Sequence, residues 1–554
     1  MEQGRLFLAI ALCILVFLIW NFFFMPEPPE QKPVKEGQAT QETAAQKEPY
    51  IQKEDTAAVE KVPLVKQPQE QPDRIVRTIT VDTPLYAVNI STKGAVFKSF
   101  ILKNYREKVE ADSPNKEMVS TDASNGTIQL GFDNKQLPDL TEAIFSINPS
   151  NDHIILSDKP ADIRLSWISD QGIVVEKKYI FSPETYLIGL HVTVQNGSSA
   201  LFSDRLALTL TKTFFEKGSV YGFQGPSALI NNNLEQIKLK KIKDKNLYSG
   251  NLGWIAVQDR YFMSAIIPQN PIEASMRLFF KDNNFLEAQY LQPETVVNPG
   301  TQHKYEYQLY IGPKSTKILS RYDNNLDQSI DFGMFDILAK PCLWLMNFLY
   351  DHFIPNYGVA IIILTLLTKI LLWPLGSKSY KSMSEMKKIQ PLIKQLREKH
   401  KNDRKKMNEE TMALYRTYKI NPLGGCLPMV VQIPVFFALY RMLYEAIELR
   451  HAPFFLWIND LSAPDRLFRF DFSIPFMQPP YGIPVLTLIM GASMLLQQRM
   501  SPPMGDPTQA KMMMLMPVVF TFIFINFSSG LVLYWLVNNL VSILQQYYIT
   551  KKLA

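Results

Sequence analysis

Cysteine is scarce in this sequence. The 554 residues include three, Cys13, Cys342 and Cys426, and each lies in or beside an apolar segment. Thiols spaced this far apart offer neither a disulfide framework nor a CxxC pair for zinc. The sequence therefore predicts neither kind of cross-link.

Residues 75–330 lack the motifs of catalysis. Their histidines are His153, His191 and His303, and no nucleophile elbow, HExxH motif or paired metal-ligand spacing accompanies them. His191 lies in the alternating stretch LIGLHVTV, which is typical of a strand residue that packs or faces solvent. We therefore predict no catalytic residue, no metal ion and no cofactor. A membrane-anchored enzyme acting on sugars is an alternative, because a fold does not by itself carry a function.

Residues 26–330 also lack long hydrophobic runs, whereas the runs on either side are prominent. Leu6 to Met25 is a stretch of twenty uncharged residues, about the length of a helix that crosses a bilayer. We interpret residues 1–25 as a retained transmembrane anchor. A cleavable signal peptide is disfavoured, because the run is long and no small-x-small site precedes the next prolines. Residues 26–74 are rich in Pro, Gln, Glu and Lys, which predicts a disordered linker.

Short alternating segments fill residues 75–330. Stretches such as GTIQLGF, ADIRLSWIS and GIVVEKKYIFS follow a period of two, and clusters of Gly, Pro, Asn, Asp and Ser separate them. This pattern is typical of antiparallel strands with one buried face. The number of such segments predicts a large antiparallel β-sandwich domain.

Apolar segments recur after residue 330. Residues 331–352 are interrupted by Asp336 and Lys340, so the remaining apolar run is too short to span a bilayer and predicts an amphipathic helix at the membrane interface. Residues 353–554 predict a core of five spans, which with the anchor make six transmembrane helices in a polytopic α-helical membrane protein. The five runs are GVAIIILTLLTKILLWPLG, GGCLPMVVQIPVFFALY, YGIPVLTLIMGASMLLQQ, MMMLMPVVFTFIFINF and SGLVLYWLVNNLVSILQQYY.

The loop after the first of these runs is strongly basic. Residues 377–419 carry thirteen Lys or Arg and five acidic residues, a net charge of +8. Apolar residues at helical spacing on both sides of His400 predict a helical hairpin. The positive-inside rule places this hairpin in the cytoplasm, and six spans then place both termini in the cytoplasm and residues 75–330 outside. A nucleic-acid-binding patch is the alternative explanation of the charge.

Several stretches resemble the YidC membrane protein insertase family, of the Gram-negative type with a large periplasmic domain. They are NPLGGCLPMVVQIPVFFALY (421–440), APFFLWINDLSAPD (452–465), SSGLVLYWLVNNLVSILQQ (528–546), GWIAVQDRYFMSAIIP (253–268) and LYIGPK (309–314). The resemblance implies an insertase and chaperone of the bacterial inner membrane that moves membrane proteins sideways into lipid, alone or beside the Sec translocon, without covalent chemistry. The resemblance also implies the partners of this chain. They are nascent membrane proteins, the Sec translocon, the ribosome and signal recognition particle machinery at the cytoplasmic hairpin, and anionic phospholipids.

Lys369 is a single lysine inside the apolar run of residues 358–376. A lysine at mid-helix costs about 2.5 to 3.5 kcal/mol on insertion scales, so it is expected to face the bundle interior or a water-filled cavity. Snorkelling is the alternative, but Ser377 lies about 12 Å further along the helix, more than a lysine side chain spans. The resemblance implies a positive residue here, usually arginine, on the floor of a hydrophilic groove open to the cytoplasm and to lipid. Lysine differs from arginine because it can lose its proton and cannot form a bidentate fork.

The predicted groove includes further polar or amphipathic residues of the spans. They are Thr365, Gln432, Asn526, Tyr534, Trp535 and Asn539. Thr365 precedes Lys369 by one helical turn on the same face. An interhelical hydrogen bond is the alternative for Gln432, and ordinary packing is the alternative for Tyr534 and Trp535.

Two further interpretations concern the same bundle. Four methionines predict an adaptable surface for apolar substrates, with core packing as the alternative. They are Met512, Met513, Met514 and Met516. A channel or secondary transporter is the other function that a buried charge allows, but the two halves of the chain show no repeated pair of interrupted half-helices.

Overall fold

A computed structural model describes ten segments of the chain. They are residues 75–119, 126–134, 136–137, 140–148, 151–214, 222–281, 284–400, 403–418, 427–500 and 507–553. The predicted anchor, residues 1–25, and the predicted linker, residues 26–74, lie outside them.

Residues 78–313 form a domain of twenty strands within the described segments. The strands are β1 (Thr78–Asp82), β2 (Tyr86–Ser91), β3 (Val96–Arg106), β4 (Asn115–Glu117), β5 (Gln129–Phe132), β6 (Ser146–Asn148), β7 (His153–Ile155), β8 (Ala161–Ile168), β9 (Ile173–Phe181), β10 (Leu187–Asn196), β11 (Phe202–Asp204), β12 (Leu206–Thr213), β13 (Gly225–Ile230), β14 (Asn233–Gln236), β15 (Leu247–Gln258), β16 (Phe262–Pro268), β17 (Glu273–Phe280), β18 (Phe285–Leu291), β19 (Thr295–Val297) and β20 (Gln302–Pro313). The predicted β-rich domain is therefore confirmed.

Two large sheets make up this domain. The smaller has the order β4-β3-β2-β1-β7, and the larger runs β5-β12-β18-β17-β15-β16-β20-β10-β9-β8-β6 with β13 and β14 branching from β15. Neighbouring strands are antiparallel, with the exception that β1 and β7 pair in parallel. The predicted antiparallel arrangement therefore has one exception, where a long connection brings the chain back to the edge of the smaller sheet.

The smaller sheet packs against β9 of the larger one. Residues of β9 alternate between buried and half-buried positions, as a strand with one core face requires. The ring of Phe97 lies 4.9 Å from that of Tyr179 and 6.4 Å from that of Phe181. The Tyr179 hydroxyl and the Lys177 amine both donate to the carbonyl oxygen of Ala95, at 2.8 and 2.6 Å.

Seven helices and a small hairpin follow in the described residues, after a single helical turn at Thr316–Leu319. They are α1 (Asp336–His352), α2 (Tyr357–Lys399), α3 (Arg404–Thr417), α4 (Leu427–Glu445), β21 (Leu467–Phe470), β22 (Tyr481–Ile483), α5 (Val485–Met500), α6 (Pro507–Phe524) and α7 (Ser529–Leu553). Among them, α2 alone is both long and apolar enough to cross a bilayer by length and composition, and Met512–Phe524 is a shorter apolar helix. The count of six spans therefore stays a prediction.

Helix α2 continues without a break from the apolar run into the basic segment. Its 43 residues span about 65 Å, roughly twice the hydrocarbon thickness of a bilayer. Beyond the apolar part, Ile389 and Ile393 are buried and pack with Met386, Leu414 and Tyr415. The two basic helices α2 and α3 therefore touch through a small apolar seam of their own.

The β domain contacts the helical part through the turn between β15 and β16. Asp259 shapes this turn, because its Oδ1 accepts from the backbone N–H groups of Tyr261 and Phe262, at 2.9 and 2.8 Å. Burial opposes ionisation of Asp259, but Lys212, whose Nζ lies 2.7 Å from Oδ2, and the two N–H groups outweigh it and hold its pKa at about 2.

Arg260 projects from this turn onto the end of α4. Its Nε donates to the carbonyl oxygen of Tyr444 at 2.6 Å, and its guanidinium lies 3.6 Å from the centre of the Tyr444 ring. Ser315 adds a second contact through a 3.0 Å hydrogen bond to Glu448, and Lys317 a third through an ion pair with Asp351 at 2.9 Å. These contacts join the β domain to α1, α4 and the segment after α4.

Candidate functional site

Lys369 lies inside the helical bundle and contacts α7. Its Nζ donates to the hydroxyl of Ser542 at 2.8 Å, and that hydroxyl donates in turn to the backbone carbonyl of Asn538 at 2.7 Å. Lys369 is twelve residues into α2, about 18 Å along the helix axis and therefore near the middle of a bilayer that α2 crosses. The next residues, Ile370 and Leu371, are 65 and 79% exposed, so the lysine lies at the border between the bundle and an outward apolar face.

A stripe of polar residues on α7 faces this lysine and the neighbouring helices. We call it the polar stripe, and its members are Asn538, Asn539, Ser542, Gln545 and Gln546. Their spacing of one, four, seven and eight residues from the first keeps them on one side of an α-helix. Four of the five are buried, Asn538 being the half-exposed member.

The polar stripe forms hydrogen bonds with three other helices. The Asn538 Oδ1 accepts from Nε2 of Gln432 on α4 at 2.7 Å, and the Asn539 Nδ2 donates to Oγ of Ser493 on α5 at 3.2 Å. Gln545 Nε2 donates to the carbonyl oxygen of Trp373 on α2 at 3.1 Å. The stripe therefore connects α7 to α2, α4 and α5 through hydrogen bonds.

Gly376 allows α2 and α7 to approach where Gln545 binds. A Cβ at this position would come within 2.9 Å of the Gln545 Nε2. A larger residue would therefore displace the amide that reaches the Trp373 carbonyl.

The other residues predicted for the groove are placed differently. Thr365 is fully buried, and its hydroxyl donates to the Ile361 carbonyl of its own helix at 2.6 Å. Tyr534 is buried as well. Trp535 packs edge-on against Phe436 with the ring centres 4.6 Å apart. The structure thus brings Lys369, Gln432 and Asn539 together through the polar stripe, and Trp535 into an aromatic cluster.

Asn526 does not share a site with Lys369. It follows the end of α6, accepts from the backbone N–H of Gln478 at 2.8 Å and donates to the carbonyl oxygen of Phe476 at 2.8 Å. Ser529 to Ser542 of α7 covers about 20 Å, so Asn526, which precedes α7, lies about that far along the helix axis from the Lys369 contact at mid-helix. Its side chain organises the loop between α4 and α5.

The predicted methionine surface is partly exposed. Met514 and Met516 are exposed, and Met512 and Met513 are half-buried. Their exposure is compatible with an adaptable apolar surface.

The groove predicted from the sequence did not include Asn538, Ser542, Gln545 and Gln546. The signal for them was present in the printed sequence, because NNLVSILQQ places its polar residues at helical spacing within an otherwise apolar run. Two cavities, of about 620 and 790 Å³, lie elsewhere: Arg260 and Arg450 line the first, and Asp465 and Arg469 the second. Neither contains Lys369.

Comparisons with known proteins bear on this bundle. The family model described as 60Kd inner membrane protein matches residues 348–554, and the model described as YidC periplasmic domain matches residues 78–345. A membrane protein insertase YidC of Syntrophus aciditrophicus is 41% identical over 98% of this chain and 99% of its own length. The chain belongs to the YidC membrane protein insertase family.

Two further proteins are similar over most of this chain. The YidC insertase of Syntrophobacter fumaroxidans is 40% identical over 99% of this chain and all of its own length. A solved structure described as an active YidC insertase with the first transmembrane domain resolved is 19% identical, covers 89% of this chain and 95% of its own, and has a TM-score of 0.37.

Membership of the YidC family has direct consequences. Its members are inner membrane proteins with a periplasmic domain, and residues 78–345 match that domain. Insertases of this family are not enzymes, as the resemblance implied for this chain.

Proposed function

We propose that this chain inserts membrane proteins into the bacterial inner membrane, with Lys369 and the polar stripe forming the surface that receives the substrate. The observation that carries the proposal is the 2.8 Å contact between Nζ of Lys369, in the apolar run of α2, and Oγ of Ser542, in the polar stripe of α7. A charge in such a position is expensive and is expected to serve a function.

The polar stripe lowers the barrier that a substrate's polar segment meets. The half-exposed amide of Asn538 and the ammonium of Lys369 offer partners that lipid tails do not, so the unfavourable part of the path becomes shorter. The ammonium of Lys369 attracts acidic residues in the segment that crosses. The exposed Ile370 and Leu371 beside it offer lipid-like contacts to the apolar helix that follows.

No nucleotide or covalent step is required for this process. Burial of the substrate's apolar span in lipid is favourable, and the membrane potential contributes about 2.3 kcal/mol per charge for each 100 mV. The groove is proposed to open to the cytoplasm and to lipid, so that a substrate leaves sideways.

The proposed topology has six spans, cytoplasmic termini and a periplasmic β domain. The basic segment 377–419, with its net charge of +8, is then cytoplasmic. We assign to it the contacts with ribosomes, the signal recognition particle machinery and anionic lipid head groups. The Sec translocon is the proposed neighbour for larger substrates.

Substitution of Lys369 tests the proposal. Lys369→Arg should retain insertion of a single-span substrate with an acidic outer segment, Lys369→Ala should slow it, and Lys369→Glu should slow it further because like charges repel. The measurement is protease protection of the substrate in proteoliposomes with an imposed potential. Lys381→Ala removes an exposed lysine from the same helix and is the matched control. Equal insertion rates for the three Lys369 variants would show that the lysine is no part of the path.

A further inference from the structure

The segment between α4 and α5 exposes large apolar side chains. We call residues 446–484 the aromatic loop. Phe455 is 58% exposed, Leu456 86%, Phe468 69%, Phe472 63% and Phe476 87%. Single exposed apolar residues are ordinary on a protein surface, but five large ones within one loop expose much apolar area to water.

The backbone of the aromatic loop holds some of these side chains outward against its own preference. Leu456, Phe468 and Phe476 have φ values of 58, 51 and 64°, in the left-handed region that side chains with a Cβ rarely adopt. Such strain persists when the surrounding contacts over-determine it, and it often marks a functional surface.

Some polar groups of the aromatic loop bind inside the protein. Asp465 is buried, and its carboxylate accepts from the Trp457 indole N–H at 2.5 Å and from the backbone N–H of Leu486 in α5 at 2.6 Å. Arg466 donates to the carbonyl oxygens of Pro480 and Ile525, both at 2.9 Å.

Two further polar residues of the loop are also satisfied by protein partners. Asp460 accepts from the backbone N–H of Ser462 at 2.8 Å and from that of His451 at 3.1 Å. Arg469 forms a 2.5 Å ion pair with Glu110 of the β domain. The loop thus binds Asp460 and Asp465 to protein partners while it exposes large apolar side chains, and Asp471 beside Phe472 stays exposed to the head-group region.

The geometry points to the outer leaflet of the bilayer as the occupant of this surface: we infer that Phe455, Leu456, Phe468, Phe472 and Phe476 insert among the lipid head groups and the first methylenes of the acyl chains. The loop begins one residue after α4 and ends one residue before α5, so its ends lie where those helices leave the membrane. Aromatic side chains are enriched at this depth, and Phe and Leu provide the apolar face of interfacial segments. The inference rests on the proposed arrangement of α4 and α5 as spans, and not on the role of Lys369.

Labelling in lipid vesicles tests the inference. Cys13, Cys342 and Cys426 are replaced by serine, and Phe476→Cys or Phe472→Cys is labelled with an environment-sensitive fluorophore in vesicles of phosphatidylethanolamine and phosphatidylglycerol. The emission should shift to the blue, lipids brominated near the head group should quench it, and iodide should not. Two positions are used so that a fault in the folding of one variant does not decide the result.

Two matched positions show how each outcome is interpreted. Ile155→Cys lies on the β domain, is 72% exposed and should be quenched by iodide alone. Leu488→Cys lies on α5, is 50% exposed and should be quenched by brominated lipid. Iodide quenching at Phe476 and Phe472 with lipid quenching at Leu488 would overturn the inference and leave the span intact, whereas iodide quenching at Leu488 would contradict the proposed topology itself. Protection of the loop labels from both quenchers would indicate a protein partner, and would equally overturn the inference.

Discussion

Lys177 is a lysine that the β domain buries completely. It lies in β9 between the two sheets, and its amine donates to the carbonyl oxygens of Ala95 and Ile128, at 2.6 and 2.9 Å. Burial lowers the pKa of Lys177 to about 7. The amine therefore ties the smaller sheet to the larger one at the cost of removing a charged group from water.

This lowered pKa makes the stability of the β domain depend on pH. In the unfolded chain the lysine has a pKa of 10.5, so between pH 7 and 10.5 the unfolded chain binds a proton that the folded domain does not. Stability should therefore rise with pH across this window, by at most about 1.4 kcal/mol per pH unit, and Lys177→Met should remove the dependence. Hydrogen exchange of the β9 and β10 amides in the full chain measures the free energy of opening.

Lys178→Met is the matched control for Lys177. It changes the adjacent residue, whose side chain lies on the other face of β9, is partly exposed and forms a 3.4 Å ion pair with Asp162. This variant should keep the slope between pH 7 and 10.5. A flat pH dependence in the unaltered protein would show that water or local motion keeps Lys177 charged in the folded domain.

At the scale of elements, α2 combines two properties in one helix. Its first half is apolar and carries Lys369. Its second half carries part of the positive charge of the basic segment and forms a hairpin with α3. The seam between α2 and α3 buries Ile389 and Ile393, and each fully buried aliphatic side chain contributes about 1.5 to 3 kcal/mol. A seam of this size allows α3 to separate from α2 at modest cost.

Removal of the hairpin separates its role in insertion from its role in topology. Deletion of residues 380–415 should abolish insertion from ribosome-bound chains while the bundle stays folded, because the deleted part carries most of the positive charge of the basic segment 377–419. Insertion in inverted membrane vesicles, with circular dichroism to monitor folding, measures the effect. Replacing Ile389 and Ile393 by serine keeps every positive charge and disrupts only the seam, so this variant should lose less activity. Normal insertion by the deletion variant would show that the hairpin only sets the topology and takes no part in insertion.

At the scale of the whole molecule, the β domain is joined to the bundle through a few polar contacts. Arg260 contacts Tyr444 at the end of α4, and Glu448 receives a hydrogen bond from Ser315. The contacts between Lys369 and the polar stripe involve none of these residues. The proposed insertion surface is thus built from the helices alone.

Deletion of the β domain should therefore preserve insertion. Removing residues 78–320, which are the β domain and the helical turn that follows it, leaves α1 to α7, and Glu448 then gains solvent in place of Ser315. We expect insertion to continue with a lower thermal midpoint, because the contacts at the end of α4 are lost. Arg260→Ala in the full chain breaks one of these contacts and should lower the midpoint less. Loss of insertion by a truncated chain that retains its helical content would show that the periplasmic domain takes part in the process.

Local sequence patterns predicted much of the architecture. Alternation with a period of two predicted the strands of residues 78–313, because a strand with one buried face must alternate. Within the candidate site the lysine of TLLTKILLWPL was identified because a charge inside an apolar run is conspicuous. The structure places Asn526 away from Lys369, a separation that composition alone does not predict because it does not show where α6 ends.

The sequence by itself determined the β-rich domain, the apolar helices and the placement of a lysine at mid-helix, since each of these follows from residues close together in the chain. Only the tertiary structure decided which group Lys369 meets, because Ser542 lies 173 residues away and comes within 2.8 Å only when α2 packs on α7. It also decided that Gln432 binds Asn538 and that Arg260 reaches Tyr444. Partners of this kind depend on how distant elements pack, and a local pattern contains no information about the face that a distant element will present.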